Sequence, residues 1–364
     1  MEENKADKQS EVQKEIEGKV QEVILAKHSQ EAVQQETIVS EPVTITPPVQ
    51  RNLAQELMHK IRLEVGKVIV GQTELIELLV IALFTEGHVL IEGVPGIAKT
   101  TTAKLFARSI SSAFSRIQFT PDLMPTDVTG TSVFNLKTSE FEFKKGPIFS
   151  NLVLIDEINR APAKTQAALF EVMEEKQLSM DGTTYPFESP FMVLATQNPI
   201  EQEGTYKLPE AQLDRFVFKA KLEYPDLHEE LEILHKFSSD FSMKAASEVK
   251  AVVSSNEIAQ AQQEIEQVHI SKELMKYIAQ LIQETRNNSD LFLGASPRAS
   301  LAILKTSKAM AAINGKNFVT PEDIQKVIKP ILNHRIMLAP DKEIEGYETE
   351  DVINDIIKKV EVPR

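Results

Sequence analysis

The stretch His88-Val-Leu-Ile-Glu-Gly-Val-Pro-Gly-Ile-Ala-Lys-Thr-Thr101 is a short apolar strand that runs through two glycines into Lys99 and a pair of threonines. Backbone N–H groups of such a turn bind polyphosphate beside a helix N-terminus, while lysine supplies positive charge and a hydroxyl coordinates magnesium. Ala98 stands where the strict pattern G-x-x-x-x-G-K-[ST] has a second glycine directly before the lysine. The stretch predicts a phosphate site, and an ordinary strand-turn-helix corner is the alternative.

Length and composition restrict the class of protein. The 364 residues suffice for one domain of ordinary size and a second, smaller one. With 40 Lys and Arg against 54 Asp and Glu, the net charge is −14, which argues against sequence-independent binding of nucleic acid. The absence of cysteine excludes disulfides, thiolate metal sites and cysteine nucleophiles, and the seven histidines have no metal-ligand spacing.

Residues 1–49 are polar and charged, and we predict a disordered acidic arm. Inside the arm, Val12, Ile16 and Val20 recur at helical spacing, which indicates a helix over about residues 10–27. This helix is either transient and without a partner or a docking helix for another protein. The N-terminus lacks the apolar run of a secretory signal, and stretches such as Leu78–Phe84 are too short to span a membrane. We therefore predict a cytoplasmic protein.

Residues 50–225 alternate apolar strands with helical segments, a pattern that predicts a doubly wound, parallel five-stranded α/β sheet. The predicted strands are His88–Glu92, Ser115–Phe119, Asn151–Asp156, Phe191–Thr196 and Val217–Leu222. Two hairpin-like insertions, residues 133–143 and 177–187, interrupt the alternation, and the second has Asp181-Gly182 as its turn.

Residues 226–364 predict a separate all-helical domain. Apolar residues recur there at spacings of three and four over residues 227–237, 254–267, 271–286 and 298–314. The sequence Thr320-Pro-Glu-Asp323 marks another helix start, because it combines a capping hydroxyl, a first-turn proline and two carboxylates.

A second stretch with candidate catalytic residues is the predicted strand and its two following acids, Asn151-Leu-Val-Leu-Ile-Asp-Glu157. At its carboxyl end, Asp156 suits a magnesium ion held directly or through water. Glu157 is placed to orient or deprotonate an attacking water. A strand that simply ends at a solvated corner is the alternative.

Three further polar residues extend this candidate site. Asn198 ends the next strand and could touch both a γ-phosphate and the attacking water, although its neighbour Pro199 also fits a turn. Arg215 ends a short helical stretch and could project into the site of a neighbouring subunit. Pairing of Arg215 with Asp214 or Glu210 in its own chain is the alternative.

Arg298 lies near the first turn of a predicted helix, where the helix dipole disfavours a positive charge. Its presence there predicts an anionic partner, and ATP phosphates would meet that need.

In this order, the motifs resemble those of the MoxR family of AAA+ ATPases over roughly residues 50–340. The motifs are Gly93-Val-Pro-Gly-Ile-Ala-Lys-Thr100, Leu154-Ile-Asp-Glu-Ile-Asn-Arg-Ala161, Ala195-Thr-Gln-Asn-Pro199, Leu208-Pro-Glu-Ala-Gln-Leu-Asp-Arg-Phe216 and Ser296-Pro-Arg298. In that family alanine commonly precedes the lysine, so Ala98 fits the resemblance. The resemblance implies a P-loop NTPase core followed by a helical lid domain.

The resemblance also implies residue roles. Asp156 and Glu157 correspond to the Walker B acids, Asn198 to sensor 1, Arg215 to the arginine finger and Arg298 to sensor 2. Thr100 and Asp156 are the implied magnesium ligands, with ATP and Mg²⁺ as cofactors. The implied nucleotide-binding residues are Val68, Ile69, Gly93, Val94, Pro95, Gly96, Ile97, Ala98, Lys99, Thr100, Thr101 and Asp156. The two hairpins correspond to insertions that tend to face a central pore.

The resulting prediction is a ring-forming ATPase, a homo-oligomer and specifically a hexamer, that remodels or activates protein partners. The resemblance implies partners with von Willebrand factor A domains. One alternative is a nucleic-acid-dependent AAA+ motor, which the acidic balance disfavours. Another is a nucleotide-dependent scaffold with little turnover.

Overall fold

The structure, a computed structural model, describes residues 52–199, 204–238 and 247–363. The described residues belong to one compact unit, which extends from Arg51 to Arg364. The predicted disordered arm, residues 1–49, and its candidate helix at residues 10–27 lie outside the described residues.

The strands are β1 His88–Gly93, β2 Ile110–Ser111, β3 Phe114–Gln118, β4 Gly130–Asn135, β5 Glu140–Lys145, β6 Leu152–Asp156, β7 Gln177–Met180, β8 Thr183–Pro186, β9 Met192–Gln197, β10 Phe216–Leu222, β11 Val253–Ser254, β12 Leu291–Leu293 and β13 Met337–Leu338. The helices are α1 Leu53–Gly66, α2 Thr73–Phe84, α3 Lys99–Arg108, α4 Pro125–Thr129, α5 Ala163–Glu175, α6 Glu210–Leu213, α7 Leu227–Phe237, α8 Ser255–Gln267, α9 Lys272–Asn287, α10 Pro297–Ile313, α11 Pro321–Leu332, α12 Pro340–Ile344 and α13 Thr349–Lys359.

The central sheet has five strands in the order β10-β1-β9-β6-β3, and every neighbouring pair is parallel. The predicted five-stranded parallel sheet is confirmed, with strand ends within about two residues of those predicted. Every residue of β6 is buried, as expected for a strand covered on both faces. Alternate residues of β6 enter different apolar clusters, with Leu152 in one and Val153 in the other, because successive side chains point to opposite faces.

The larger apolar cluster joins one face of the sheet to helices from both ends of the described chain. Residues 78–84 of α2 are all buried in it, so this apolar run is a core helix. In the described part of the chain, no helix is long and apolar enough to cross a membrane. The same cluster includes side chains of α8, α9, α10 and α11, so the sheet and the C-terminal helices share apolar packing. The predicted domain boundary near residue 225 stays a prediction.

Both predicted hairpins are present as antiparallel pairs. In β4–β5 the pairing runs from Gly130 opposite Lys145 to Asn135 opposite Glu140, so this hairpin extends beyond the predicted residues 133–143. In β7–β8 the turn residues Asp181 and Gly182 both have positive φ, 51° and 78°. These values fit a two-residue hairpin turn.

The C-terminal part, predicted to be all-helical, is mainly helical, and its helices begin at residues that can cap them. Ser254 and Thr320 each form a reciprocal capping box, with Glu257 and Asp323 respectively. Short strands interrupt the helices. Of these, β12 pairs with β13, and β11 pairs with β2. Strands of two or three residues give too little periodicity to be recognised in the sequence.

Candidate nucleotide-binding site

The predicted phosphate loop connects β1 to α3 at the carboxyl edge of the sheet. Gly96 and Ala98 both have positive φ, 88° and 61°. This backbone explains why the general motif has glycine at the position of Ala98, because glycine adopts positive φ without strain. Lys99 Nζ donates to Gly93 O and to Gln197 O, the latter at 3.2 Å. The lysine therefore lies between the ends of β1 and β9.

A cavity of about 1030 Å³ opens beside this loop. Its size matches the upper range of small-molecule sites. Of the predicted nucleotide-binding residues, those that line it are Val68, Ile69, Pro95, Gly96, Ile97, Ala98 and Thr101. Tyr224 and Asn333 line it from the side of β10 and α11. Gly93, Val94, Lys99, Thr100 and Asp156 do not line it.

Gln72 fixes the segment beside the cavity to the phosphate loop, a role that the sequence pattern did not reveal. Its Nε2 donates to Ile97 O at 2.7 Å, and its Oε1 accepts from Thr102 Oγ1 at 2.7 Å. Gln72 has positive φ, 44°, at the start of α2. One side chain thus joins the residues before α2 to the end of the loop and to the first turn of α3.

Asp156 ends β6 next to the phosphate loop and is 3% exposed. Its Oδ1 accepts from Thr100 Oγ1 at 2.9 Å and from Thr196 Oγ1 at 3.1 Å. Its Oδ2 forms an ion pair with Arg116 Nε at 2.6 Å. The structure thus brings together Thr100 and Asp156, a hydroxyl and a carboxylate of the kind that bind magnesium together with phosphates.

Glu157 leaves the strand in a left-handed conformation, with φ 57°. Its N–H donates to Thr196 Oγ1 at 3.0 Å. Its Oε2 accepts from Gln118 Nε2 at 2.9 Å and pairs with Arg160 Nε at 3.1 Å. Two side chains therefore hold the carboxylate in a defined orientation.

Sequence reasoning missed Arg116, Gln118 and Arg160. The available signal was the alternation that places Arg116 and Gln118 in the predicted strand 115–119, whose carboxyl end joins the same edge as Asp156. In the structure Gln118 lies opposite Asp156 in the parallel register. Asn198 directly follows β9 and is buried at this edge, in keeping with the predicted position.

Arg215 lies at the opposite edge of the sheet. In the parallel pair β1–β10, Phe216 is opposite His88 and Leu222 is opposite Gly93, so Arg215 precedes the amino end of β10. Its Nη1 donates to Phe170 O at 3.1 Å and forms an ion pair with Glu174. Arg215 does form an ion pair within its own chain, but the predicted partners Asp214 and Glu210 are wrong. The carboxylate that it contacts is that of Glu174 in α5.

Arg298 also pairs with Glu174, with Nη2 to Oε1 at 2.6 Å, and its Nη1 lies 4.0 Å from Asp214 Oδ2. That ATP phosphates are its partner stays a prediction. A recess of about 200 Å³ is lined by both Arg215 and Arg298. Arg298 therefore lies beside Arg215 and does not line the large cavity. The two arginines form a cluster separate from the phosphate loop of their own chain.

A buried arginine that the sequence did not reveal holds this region together. Arg335 Nε pairs with Asp214 Oδ1 at 2.6 Å, and its Nη2 donates to Asp214 O and Phe216 O at 3.1 and 2.6 Å. Burial lowers the pKa of Arg335, and the Asp214 carboxylate opposes that shift. Because these contacts join residues about 120 positions apart, local sequence carries no signal for them.

Comparison with known proteins agrees with the fold. The family described as "ATPase family associated with various cellular activities (AAA)" matches residues 88–218, and the AAA lid domain matches residues 283–356. The chain is therefore an AAA+ ATPase, a protein that binds and hydrolyses ATP.

Similar proteins show to which family of AAA+ ATPases the chain belongs. The chain is 43% identical over 307 residues to the uncharacterized protein YeaC of Bacillus subtilis, covering 84% of this chain and 95% of that protein. It is 42% identical over 310 residues to the chaperone MoxR1 of Mycobacterium tuberculosis, covering 83% and 81%. A crystal structure of an inferred ATPase from Cytophaga hutchinsonii aligns with a TM-score of 0.77 and 45% identity, covering 86% and 97%. The chain belongs to the MoxR family.

Proposed function

We propose that this ATPase works as a ring, specifically a hexamer, in which ATP is hydrolysed at the interfaces between subunits. The observation that supports it is the position of Arg215 at the amino edge of the sheet, whereas the phosphate loop lies at the carboxyl edge. Six strand residues at about 3.3 Å each separate these edges by roughly 20 Å. An arginine side chain is much shorter than that, so Arg215 serves the site of a neighbouring subunit.

Within the site, we propose a role for each residue. Thr100 Oγ1 and Asp156 Oδ1 converge to within 2.9 Å and would hold Mg²⁺, which neutralises charge on the phosphates when bound. In the described residues no group of three or more His, Asp or Glu side chains could hold a metal alone, which suits an ion that keeps waters and phosphate oxygens as ligands. Lys99 binds the phosphates, Glu157 orients the attacking water and Asn198 contacts the γ-phosphate.

We propose further that the ring remodels or activates protein partners, including proteins with von Willebrand factor A domains. The relative from M. tuberculosis carries the name chaperone, which supports a protein client. The β4–β5 hairpin bears exposed apolar side chains, with Leu136 86%, Phe141 71% and Phe134 46% exposed. Exposed apolar surface of this kind suits contact with a polypeptide.

The interface proposal is tested by mixing two inactive variants, Glu157→Gln and Arg215→Ala. Each alone is expected to lose ATPase activity by about 10²–10³-fold while ATP binding is retained, because only the hydrolytic step is affected. In an equimolar mixture, intact sites form where an Arg215→Ala subunit supplies Glu157 and a Glu157→Gln subunit supplies Arg215. Activity should therefore return to roughly a quarter of the wild-type rate per subunit in a head-to-tail ring. A mixture that stays inactive, or full activity of Arg215→Ala alone, would contradict catalysis across the interface.

The client proposal is tested by affinity capture with Glu157→Gln in the presence of ATP, because that variant should bind ATP without turning it over. Lys99→Ala, which removes the phosphate-binding charge, is the matched control. A client should be recovered with Glu157→Gln plus ATP and not with the control. Recovery of this chain alone would remove the support for remodelling.

A further inference from the structure

One carboxylate binds both arginines at the amino edge of the sheet. Arg215 Nη1 pairs with Glu174 Oε2, and Arg298 Nη2 pairs with Glu174 Oε1 at 2.6 Å. Each oxygen of Glu174 therefore serves one guanidinium. This arrangement joins α5, the segment before β10 and the start of α10 through a single side chain.

The helix dipoles do not explain these positions. Glu174 lies in the last turn of α5, where the negative end of the helix disfavours an acid. Arg298 lies in the first turn of α10, where the positive end disfavours a base. Each charge is disfavoured by the dipole of its own helix. The ion pair between Glu174 and Arg298 is therefore what stabilises both charges at these positions.

The charges in this cluster do not balance. Among the described residues, Arg215, Arg298 and Arg335 form ion pairs with two carboxylates, Glu174 and Asp214. Asp214 is already engaged by Arg335 at 2.6 Å, by Ser296 Oγ at 3.1 Å and, more distantly, by Arg298 Nη1 at 4.0 Å. Arg215 Nε is buried with no hydrogen-bond partner in the described part of the chain. Burial and the charge of Arg298 both lower the pKa of Arg215. One positive charge and one buried donor are therefore left for a further anion.

The space for such an anion is the recess of about 200 Å³ that Arg215 and Arg298 line together with Lys305. A terminal phosphate has three oxygens that accept charge-assisted hydrogen bonds, more than a carboxylate offers. Glu174 is 36% exposed, so its carboxylate is free to move into solvent when a stronger anion arrives.

We propose that Glu174 is a positioning residue that occupies the place of a nucleotide phosphate. It holds Arg215 and Arg298 side by side in the free subunit and releases them to the terminal phosphate of ATP bound by a neighbouring copy. This inference rests on the proposed action of Arg215 across the subunit interface. Glu174 thereby competes with nucleotide-driven assembly, and its removal should favour assembly.

The test measures assembly by analytical ultracentrifugation with a non-hydrolysable ATP analogue, as a function of protein concentration. Glu174→Gln is expected to assemble at a concentration lower by about twofold to fivefold, the effect of losing one partly exposed ion-pair competitor. Glu175→Gln is the matched control, because it makes the same change at the next residue of α5, for which no ion pair is found among the described residues, and it should behave as wild type. Glu174→Asp keeps the charge and should stay close to wild type.

Unchanged or weaker assembly of Glu174→Gln would overturn the inference, and so would an equal gain in Glu175→Gln. The proposed function is judged separately by Arg215→Ala. If that variant assembles and hydrolyses ATP as wild type, the interface role of Arg215 fails and this inference fails with it. If Arg215→Ala is inactive while Glu174→Gln assembles as wild type, the proposal for Glu174 is contradicted and the proposed interface role of Arg215 stands.

Discussion

Ala98 illustrates how one residue can depart from a general motif and still suit the backbone. Its φ of 61° lies in the left-handed region, which costs a residue with a side chain roughly 1–2 kcal/mol. The loop is held from both sides, by Lys99 on the strand ends and by Gln72 on Ile97 and Thr102. These contacts offset the strain, so the loop keeps its shape without the second glycine.

At the same scale, the buried His88 makes stability depend on pH. Its Nδ1 accepts from Val193 N at 3.0 Å and its Nε2 lies 3.2 Å from Met173 O, so the ring is neutral. Burial lowers its pKa to about 4 from 6.5. Stability from this group is complete above pH 6.5 and is lost as the pH falls towards 4. We expect a loss of about 2 kcal/mol between pH 7.5 and pH 5.

Urea unfolding at the two pH values checks this expectation. In His88→Asn the difference in unfolding free energy between the two pH values should shrink by that amount. Some difference will remain, because burial also lowers the pKa of His334. The exposed His59 provides the control, and His59→Asn should retain the wild-type difference. An unchanged difference in His88→Asn would refute the assignment.

At the scale of elements, the parallel strands were predictable because burial on both faces makes them continuous apolar runs, as in β6. The hairpins were predictable from β-prone residues around a turn, clearest at Asp181-Gly182. The extent of the β4–β5 hairpin was not, because its ends are defined by the close approach of Gly130 to the opposite strand. A Cβ at Gly130 would lie 2.2 Å from Lys144 O.

The close approach at Gly130 predicts that alanine substitutions in the two hairpins differ in their cost to stability. Gly130 and Gly182 both have positive φ, but a Cβ at Gly182 meets nothing within 4 Å. Gly182→Ala should cost about 1 kcal/mol for the backbone conformation alone. Gly130→Ala adds a steric clash with backbone and should cost roughly 3 kcal/mol. Urea unfolding of the two variants measures both, and equal losses would show that the crowding at Gly130 is relieved without cost.

At the scale of the whole molecule, the acidic balance predicts that nucleic acid does not drive the ATPase. A net charge of −14 repels a phosphate backbone, whose binding depends on neutralisation by Lys and Arg. We expect the same ATPase rate with and without single- or double-stranded DNA, over a range of salt concentrations. Stimulation that falls steeply with salt would instead identify a nucleic-acid-dependent motor.

The order of the motifs along the chain determined the site at the carboxyl edge. Once β1, β6 and β9 are parallel neighbours, Lys99, Asp156, Glu157 and Asn198 must follow strand ends that meet at one edge. The sequence alone therefore determined the fold class, the phosphate loop and the two acids, because local apolar patterns and chain order suffice for them.

Only the tertiary structure decided the partners of the remaining charges. Arg116 pairs with Asp156 across 40 residues, Glu174 with Arg298 across 124, and Arg335 with Asp214 across 121. Such contacts depend on how helices and strands pack, and nothing in the local sequence specifies which carboxylate meets which guanidinium. For the same reason, the position of Arg215 at the edge opposite the phosphate loop became evident only from the register of β10 against β1.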